Sequence, residues 1–453
     1  MKRLLVLAVA GAAMAATADV TLTIDKAQQR WPWNNIVDVD FTLGGAAADE
    51  QFVIELSATS ALEGKTYAAK TYVSEPVVKA GSCRVSWDFG ADHPGVRTGD
   101  MQFTVAATPI LESKLPTYLV IDLKDGKDAK KWPVTYTHTD PVHTPKCQTD
   151  ACKLTELWMK RVHSKGDNFT TIRYEVPTDT NKMYYNKLTH DFYLGLFEVT
   201  QQQWYQLTGA WPSVFSREDC RATRPLDTYY PDRLFGSGDG YKYYLQNWTP
   251  KAGSLLEKIR ERTGLSTFCE PTEAQWMYAL HNGSLNGRET WYYRDATGKE
   301  ISMTATTDGN QYLGVGRFYG NMGTVPADRS EAGIDDGTAA VGCYQPNSLG
   351  FYDMIGNVGE DLLDPYVEHA GSTMKNYYVE RGCEFPILDS KGVPYADAVA
   401  LLDNKLRSTI KSLGWYLGAD YSQCWHVLSG YTNYSVDNSK NANRGVRFCV
   451  TCE

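Results

Sequence analysis

The sequence predicts an α+β chain, with a β-sandwich over residues 19–135 and a larger, turn-rich region with few helices over residues 153–453. Three observations carry this expectation. Short alternating apolar/polar runs fill the first region. Three helix starts with capping boxes lie in the second, while the first shows little helix. Between and after those starts the chain is mostly Gly, Asn, Asp and Tyr. Residues 136–152, with Pro141, Pro145 and several Thr and His, read as a linker.

The N-terminus comes first in chain order. Lys2 and Arg3 precede the apolar stretch Leu4–Ala16, and Ala16-Thr17-Ala18 before Asp19 is an A-x-A-type cleavage site. Ala13-Met14-Ala15 is a second candidate. Residues 1–18 are therefore expected to be a secretory signal peptide, with the mature protein secreted or held in the periplasm or cell envelope. No later apolar run approaches the roughly 18 residues of a membrane span.

Strands are expected at Val20–Ile24, Val37–Leu43, Phe52–Leu56, Cys83–Trp87, Met101–Val105 and Tyr118–Asp122. Gly, Asp and Pro turns separate them, the pattern of a sandwich. This half shows no acidic or histidine cluster, so it reads as a spacer or interaction module. In the second region, Thr200 with Gln203, Ser254 with Glu257 and Thr272 with Gln275 form capping boxes. Gly209 and Gly264 stand where the first two helices should stop.

Composition excludes some functions. The 453 residues carry 45 Lys+Arg against 54 Asp+Glu, a formal net charge of -9, which argues against a nucleic-acid partner. Hydrophobic residues make up 42% and charged residues 22%, so bulk disorder is not expected. Ten cysteines in an exported chain point to structural disulfides, with the pairing left open. Cys449-Val-Thr-Cys452 is a C-x-x-C with no following helix to activate it, and no second close Cys or His pair accompanies it to make a zinc site.

Four ordered segments carry a family resemblance. Tyr193-Leu-Gly-Leu-Phe-Glu-Val-Thr200 resembles an "E-V-T" helix entry, and Glu270-Pro-Thr-Glu-Ala-Gln-Trp276 resembles "L-P-T-E-A-E-W". Asn347-Ser-Leu-Gly-Phe-Tyr-Asp-Met-Ile-Gly-Asn-Val-Gly-Glu360 resembles "N-x-x-G-L-Y-D-M-x-G-N-V-W-E". Arg381-Gly-Cys-Glu-Phe385 and Arg444-Gly-Val-Arg447 resemble "R-G-G-S-[WY]" and "G-F-R". Residues 153–453 thus resemble the formylglycine-generating enzyme (sulfatase-modifying factor) domain. The resemblance implies a C-type-lectin-like fold with little regular secondary structure.

It also implies sites. Asp353, Gly356, Val358 and Glu360 match a family calcium site of two side-chain and two backbone oxygens, and hard oxygen ligands suit Ca²⁺. Asn321, Met322, Asp336 and Thr338 match a second calcium site, with Asp335 able to replace Asp336. The plain alternative is that these acids cap turns. The family oxidises a substrate cysteine to formylglycine with O₂ and a copper ion held by two cysteines about five residues apart; soft thiolates suit Cu(I). Cys424 matches the second cysteine, but Ala419 stands at the first, and Trp425-His426-Val427-Leu428 replaces the usual Arg-rich stretch. Cys383 is the other candidate thiolate, replacing a Gly of "R-G-G-S", and His426 is a candidate N-donor.

Further departures accompany this one. Gly359 and Asp361 stand where the family has two Trp, and Leu280 stands at a frequent disulfide position for which Cys269 could substitute, pairing with Cys449. The histidines lack the H-x-x-x-E-x-H spacing of related iron domains. Three readings follow. The favoured one is an exported, diverged, calcium-stabilised scaffold that binds protein or glycan through Tyr/Trp-rich loops such as Tyr416–Tyr434. The others are a copper-dependent oxidase acting on exported sulfatases and a structural envelope protein. The oligomeric state is not legible in the sequence.

Overall fold

The computed structural model describes residues 20–452 except 33, 146, 165–167, 173–182, 189, 237–249, 282–289, 295–299, 305–313, 319–320, 322–336, 367–377, 382–406, 413–427 and 432–442. It divides into two compact units. One holds residues 1–120 and 133–140, the other residues 121–132 and 141–453.

Every predicted run of the N-terminal half lies in a strand, Val20 apart, and the last of them, Tyr118–Asp122, runs from the first unit into the second. Thr21–Gln29 pairs with Ile36–Gly44, which pairs with Gly81–Asp88, and Thr71–Tyr72 links this last strand to Val134–Thr137, all antiparallel. A second antiparallel group centres on Gln51–Ser60. It pairs with Met101–Pro109 on one side, and with Lys65–Ala68 and Val77–Lys79 on the other. Alternation explains the burial: Met101, Phe103 and Val105 are enclosed while Gln102 and Thr104 face water. Val39, Phe41, Val85 and Trp87 from the first group join Ile54, Leu56, Phe103 and Val105 from the second in one apolar cluster.

In the second unit, Glu156–Val162, Phe192–Gly195, Cys449–Thr451 and Phe268–Cys269 form an antiparallel sheet. Ile121–Trp132 belongs here: Leu123 N–H donates to the Thr155 carbonyl at 2.7 Å, and Trp132 N–H to the Arg262 carbonyl at 3.1 Å. Another sheet is built on Gly359–Tyr366, antiparallel to Arg407–Lys411 and parallel to Arg444–Val446. Among the described residues no helix is long and apolar enough to cross a membrane.

The main helices begin where the caps predict. Gln201–Thr208 and Glu273–Leu280 carry complete reciprocal capping boxes at Thr200/Gln203 and Thr272/Gln275. Leu255–Thr263 has only half of one. Ser254 accepts from Glu257 N–H, but the Glu257 carboxylate takes the Gly253 N–H at 2.6 Å, because Ser254 N–H already donates to the Lys251 carbonyl. Gly209 and Gly264 end their helices at φ 75 and 78, a conformation that costs glycine little. Ala274–Leu280 is buried on every side. It packs among Phe318, Phe351, Met354, Ile355 and Leu362.

Thr200 does more than cap. Its O–H donates to the Lys153 carbonyl at 2.7 Å while its oxygen accepts from Gln203 N–H. Thr200→Ala is expected to destabilise the protein by about 1–2 kcal/mol in urea unfolding. Thr200→Ser should recover most of that loss.

Candidate metal centre

The loop after Asn347 is held by its own amides. Asn347 accepts Phe351 N–H at 3.0 Å and donates to the Ala279 carbonyl at 2.8 Å. The chain then passes through left-handed conformations at Asp353 (φ 54), Gly356 (φ 80) and Asn357 (φ 59). At Gly356 a Cβ would lie 2.6 Å from the Arg317 carbonyl oxygen, so a side chain is excluded. Asn357 fixes the turn by accepting Ala339 N–H at 2.8 Å and donating to Glu198 Oε2 at 2.7 Å.

Three buried carboxylates meet at this turn. Glu198 Oε1 accepts Val358 N–H at 3.1 Å. Asp353 Oδ2 accepts Gly342 N–H at 2.6 Å, and its Oδ1 has no hydrogen-bond partner. Glu360 accepts from Arg447 Nη2 at 2.7 Å and from Trp276 Nε1 at 2.7 Å. Arg447, fully enclosed, also donates to the Gly195 and Tyr352 carbonyls at 2.9 and 2.8 Å. Burial raises the Glu198 carboxyl well above its ordinary range, and the charges of Asp353 and Glu360 push it further. Burial raises Asp353 to about 6. Arg447 loses by burial, but Glu360 more than restores its preference for the charged form.

The sequence-predicted ligands fare differently. Asp353, Gly356, Val358 and Glu360 all lie on this buried turn and the strand it enters. Asp353 alone of the two acids keeps an unpartnered oxygen; Glu360 is occupied by Arg447 and Trp276, and the Gly356 carbonyl accepts the Ser412 O–H at 3.0 Å. The donor set suits a hard cation. At the second set, Asn321 accepts Phe318 N–H and donates to the Gly316 carbonyl, each at 2.8 Å, and Thr338 Oγ1 is buried without a partner. Met322, Asp335 and Asp336 lie outside the described residues, as do Cys383, Ala419, Cys424 and His426. Cys83, Cys147, Cys152, Cys220 and Cys269 are free thiols. Cys269 and Cys449 are register partners on adjacent strands, both buried.

Sequence reading missed Glu198 and Arg447 as members of the cluster. The available signal was a lone charge inside the apolar run Tyr193–Val199. It also left Asp361 without a role. Asp361 is fully buried and bound by Arg444 Nε at 3.0 Å, so a charged pair occupies that position.

Two outcomes follow from these charges. Arg447→Met should cost about 3–5 kcal/mol in urea unfolding, because it leaves Glu360 buried and uncompensated. Asp227 supplies the pH dependence. Its carboxylate accepts Val214 and Phe215 N–H at 2.8 and 2.9 Å, yet burial raises its pKa to about 6. An unfolded Asp titrates near 3.9. The folded chain therefore holds the extra proton between about pH 4 and 6, and stability from Asp227 is lost as pH rises through that window. Relative to wild type, Asp227→Asn should gain stability from pH 4 to pH 6. A constant difference across that range would refute the assignment.

Comparison with known proteins finds similarity over part of this region. The Sulfatase-modifying factor enzyme 1-like domain family matches residues 247–402. "Chaperone protein LppX" of Paenibacillus barcinonensis is 28% identical over 186 residues, 39% of this chain and 62% of that protein. "Formylglycine-generating enzyme" of Mus musculus is 27% identical over 162 residues, 33% of this chain and 39% of that protein. The chain thus spans less than two thirds of either relative. Among solved structures, PvdO from Pseudomonas aeruginosa has a TM-score of 0.38 at 15% identity, over 69% of this chain and 100% of its own. CarF has a TM-score of 0.33 at 14% identity, over 65% and 99%. Residues 247–402 are thus similar to the sulfatase-modifying factor enzyme 1-like domain.

Proposed function

We propose that this protein is an exported, calcium-stabilised binding scaffold built on a formylglycine-generating-enzyme-like domain without its oxidase activity. In this reading residues 153–453 adopt the C-type-lectin-like fold, and the two strand groups of the first unit form a β-sandwich around their shared apolar cluster. The protein acts outside the cytoplasm, on a protein or glycan ligand.

The observation that carries the calcium part is the charge imbalance at the buried turn. Glu198, Asp353 and Glu360 face one guanidinium, and Asp353 Oδ1 has no partner. A divalent cation would satisfy that oxygen and offset the excess negative charge. Asp353 and the carbonyls of Gly356 and Val358 would hold it, with Glu360 joining by sharing its carboxylate with Arg447. Asn321, Met322, Asp336 and Thr338 would form the second calcium site. Calcium there would add rigidity.

Two observations support binding over oxidation. Ala419 stands where the copper site needs a thiolate, leaving Cys424, with Cys383 as the alternative, to hold copper. One relative carries the name chaperone. The oxidase remains the second reading because another relative is a formylglycine-generating enzyme.

Calcium added to chelated protein should stabilise it by about 2.7 kcal/mol at a hundredfold excess over Kd. Asp353→Asn should lose most of that response in a thermal melt. The scaffold reading further expects no O₂- and copper-dependent conversion of a C-x-P-x-R peptide cysteine; turnover lost in Cys424→Ser would establish the oxidase instead.

A further inference from the structure

The segment that reads as a linker is folded from Pro141 onward as part of the second unit. Asp150 closes it: its Oδ2 accepts Thr144 N–H at 2.8 Å. Lys153, fully buried, donates from Nζ to the Thr144 carbonyl at 2.8 Å, and the Cys152 thiol donates to the Val142 carbonyl at 3.3 Å. Asp150, Cys152 and Lys153 are thereby buried beside His143, while Val142, Thr144, Gln148 and Thr149 stay exposed. That ring packs against Phe197 and Tyr352, with centroids 5.0 and 4.8 Å away.

The His143 side chain is 9% exposed, and neither ring nitrogen makes a hydrogen bond of good geometry, the Gly342 backbone being a polar neighbour that engages it. A neutral imidazole carries one N–H donor and one lone pair, and leaving both buried and unmet costs free energy. Beside it stand two further donors. His143 Nδ1 lies 3.9 Å from Asp150 Oδ2. His143, Asp150 and Cys152 each place one ligand atom within 4.8 Å of the other two.

We propose that His143, Asp150 and Cys152 form a transition-metal site of the zinc class. Imidazole, thiolate and carboxylate together select a borderline-soft divalent ion over calcium or magnesium. The site is therefore chemically distinct from the all-oxygen turn at Asp353. Zinc bonds of about 2.0–2.3 Å require the three donors to draw together by roughly 1 Å, within reach of side-chain rotation. On binding, the Cys152 S–H releases its proton to solvent and the thiolate and imidazole lone pairs form the metal bonds. No electron is transferred. Lys153 Nζ lies 3.4 Å from Asp150 Oδ2, so its charge orients the carboxylate while its bond to the Thr144 carbonyl keeps the loop closed. The fourth tetrahedral position falls to water or to Cys147, whose thiol lies against Asp150.

The test is cobalt titration of the full chain after chelation and reduction. One equivalent of Co²⁺ should give a thiolate-to-cobalt charge-transfer band in the near ultraviolet, bleached by Zn²⁺. Cys152→Ser should abolish the band. His143→Gln should weaken binding by at least the roughly 10–100-fold that an outer-shell loss costs a metal site. Asp353→Asn should leave the band intact, which separates this site from the calcium reading. Circular dichroism of each variant checks that it folds. The proposal is overturned if folded wild type gives no thiolate band, if the band survives in Cys152→Ser, or if the isolated protein holds a Cys147–Cys152 disulfide.

Discussion

The buried ion pair between Arg447 and Glu360 is the constraint on which the second unit depends. Both side chains are fully enclosed. A guanidinium in that position must find an acceptor for each N–H, and Arg447 does so from three separate places. It takes the Gly195 carbonyl from a strand, the Tyr352 carbonyl from the turn after Asn347 and the Glu360 carboxylate from a second sheet. One side chain thereby fixes the relation of segments 252 residues apart in sequence. Removing one partner of such a pair costs far more than the pair contributes, since the other charge stays buried.

Around that pair the unit is organised by polar side chains acting as backbone partners. Asn347 and Asn357 hold the turn that carries Asp353, and Asp227 pins the Val214 and Phe215 amides. A region with short helices and short strands has many backbone groups outside regular ladders, and each must be satisfied locally. Buried Asn, Asp and Gln residues do this work here. Gln201 donates to the Phe215 carbonyl, and Gln203 to the carbonyls of Cys152 and Glu156. The exceptions are informative for the same reason. Asp353 Oδ1, Thr338 Oγ1 and both nitrogens of His143 are among the buried atoms without partners and sit where metal chemistry is proposed; Thr108 Oγ1 and Ser348 Oγ are others that do not.

Much of the fold was legible before any coordinates. Strand runs such as Met101–Val105 announce themselves by alternation, and Thr200/Gln203 and Thr272/Gln275 announce helix starts by spacing. The Asp353–Glu360 turn was legible through its resemblance. The Ser254 box was read correctly only in part, because an upstream amide competed for Glu257. The segment at 141–152 was misleading. Its Pro, Thr and His composition reads as a linker, and most of its side chains are exposed, yet Asp150 and Lys153 tie its backbone into a closed loop.

The sequence by itself determined what depends on neighbours within about one turn of helix or two residues of strand: which runs extend, where helices begin and where glycine ends them. Those preferences are local, so residue spacing encodes them. Only the tertiary structure decided which charges are buried and with whom. Glu198 meets Asn357 from 159 residues away, Asp361 finds Arg444 and His143 comes to lie beside Tyr352. The cost or benefit of a buried charge is set by desolvation and by the partner that arrives, and neither is written in the residue's immediate neighbours.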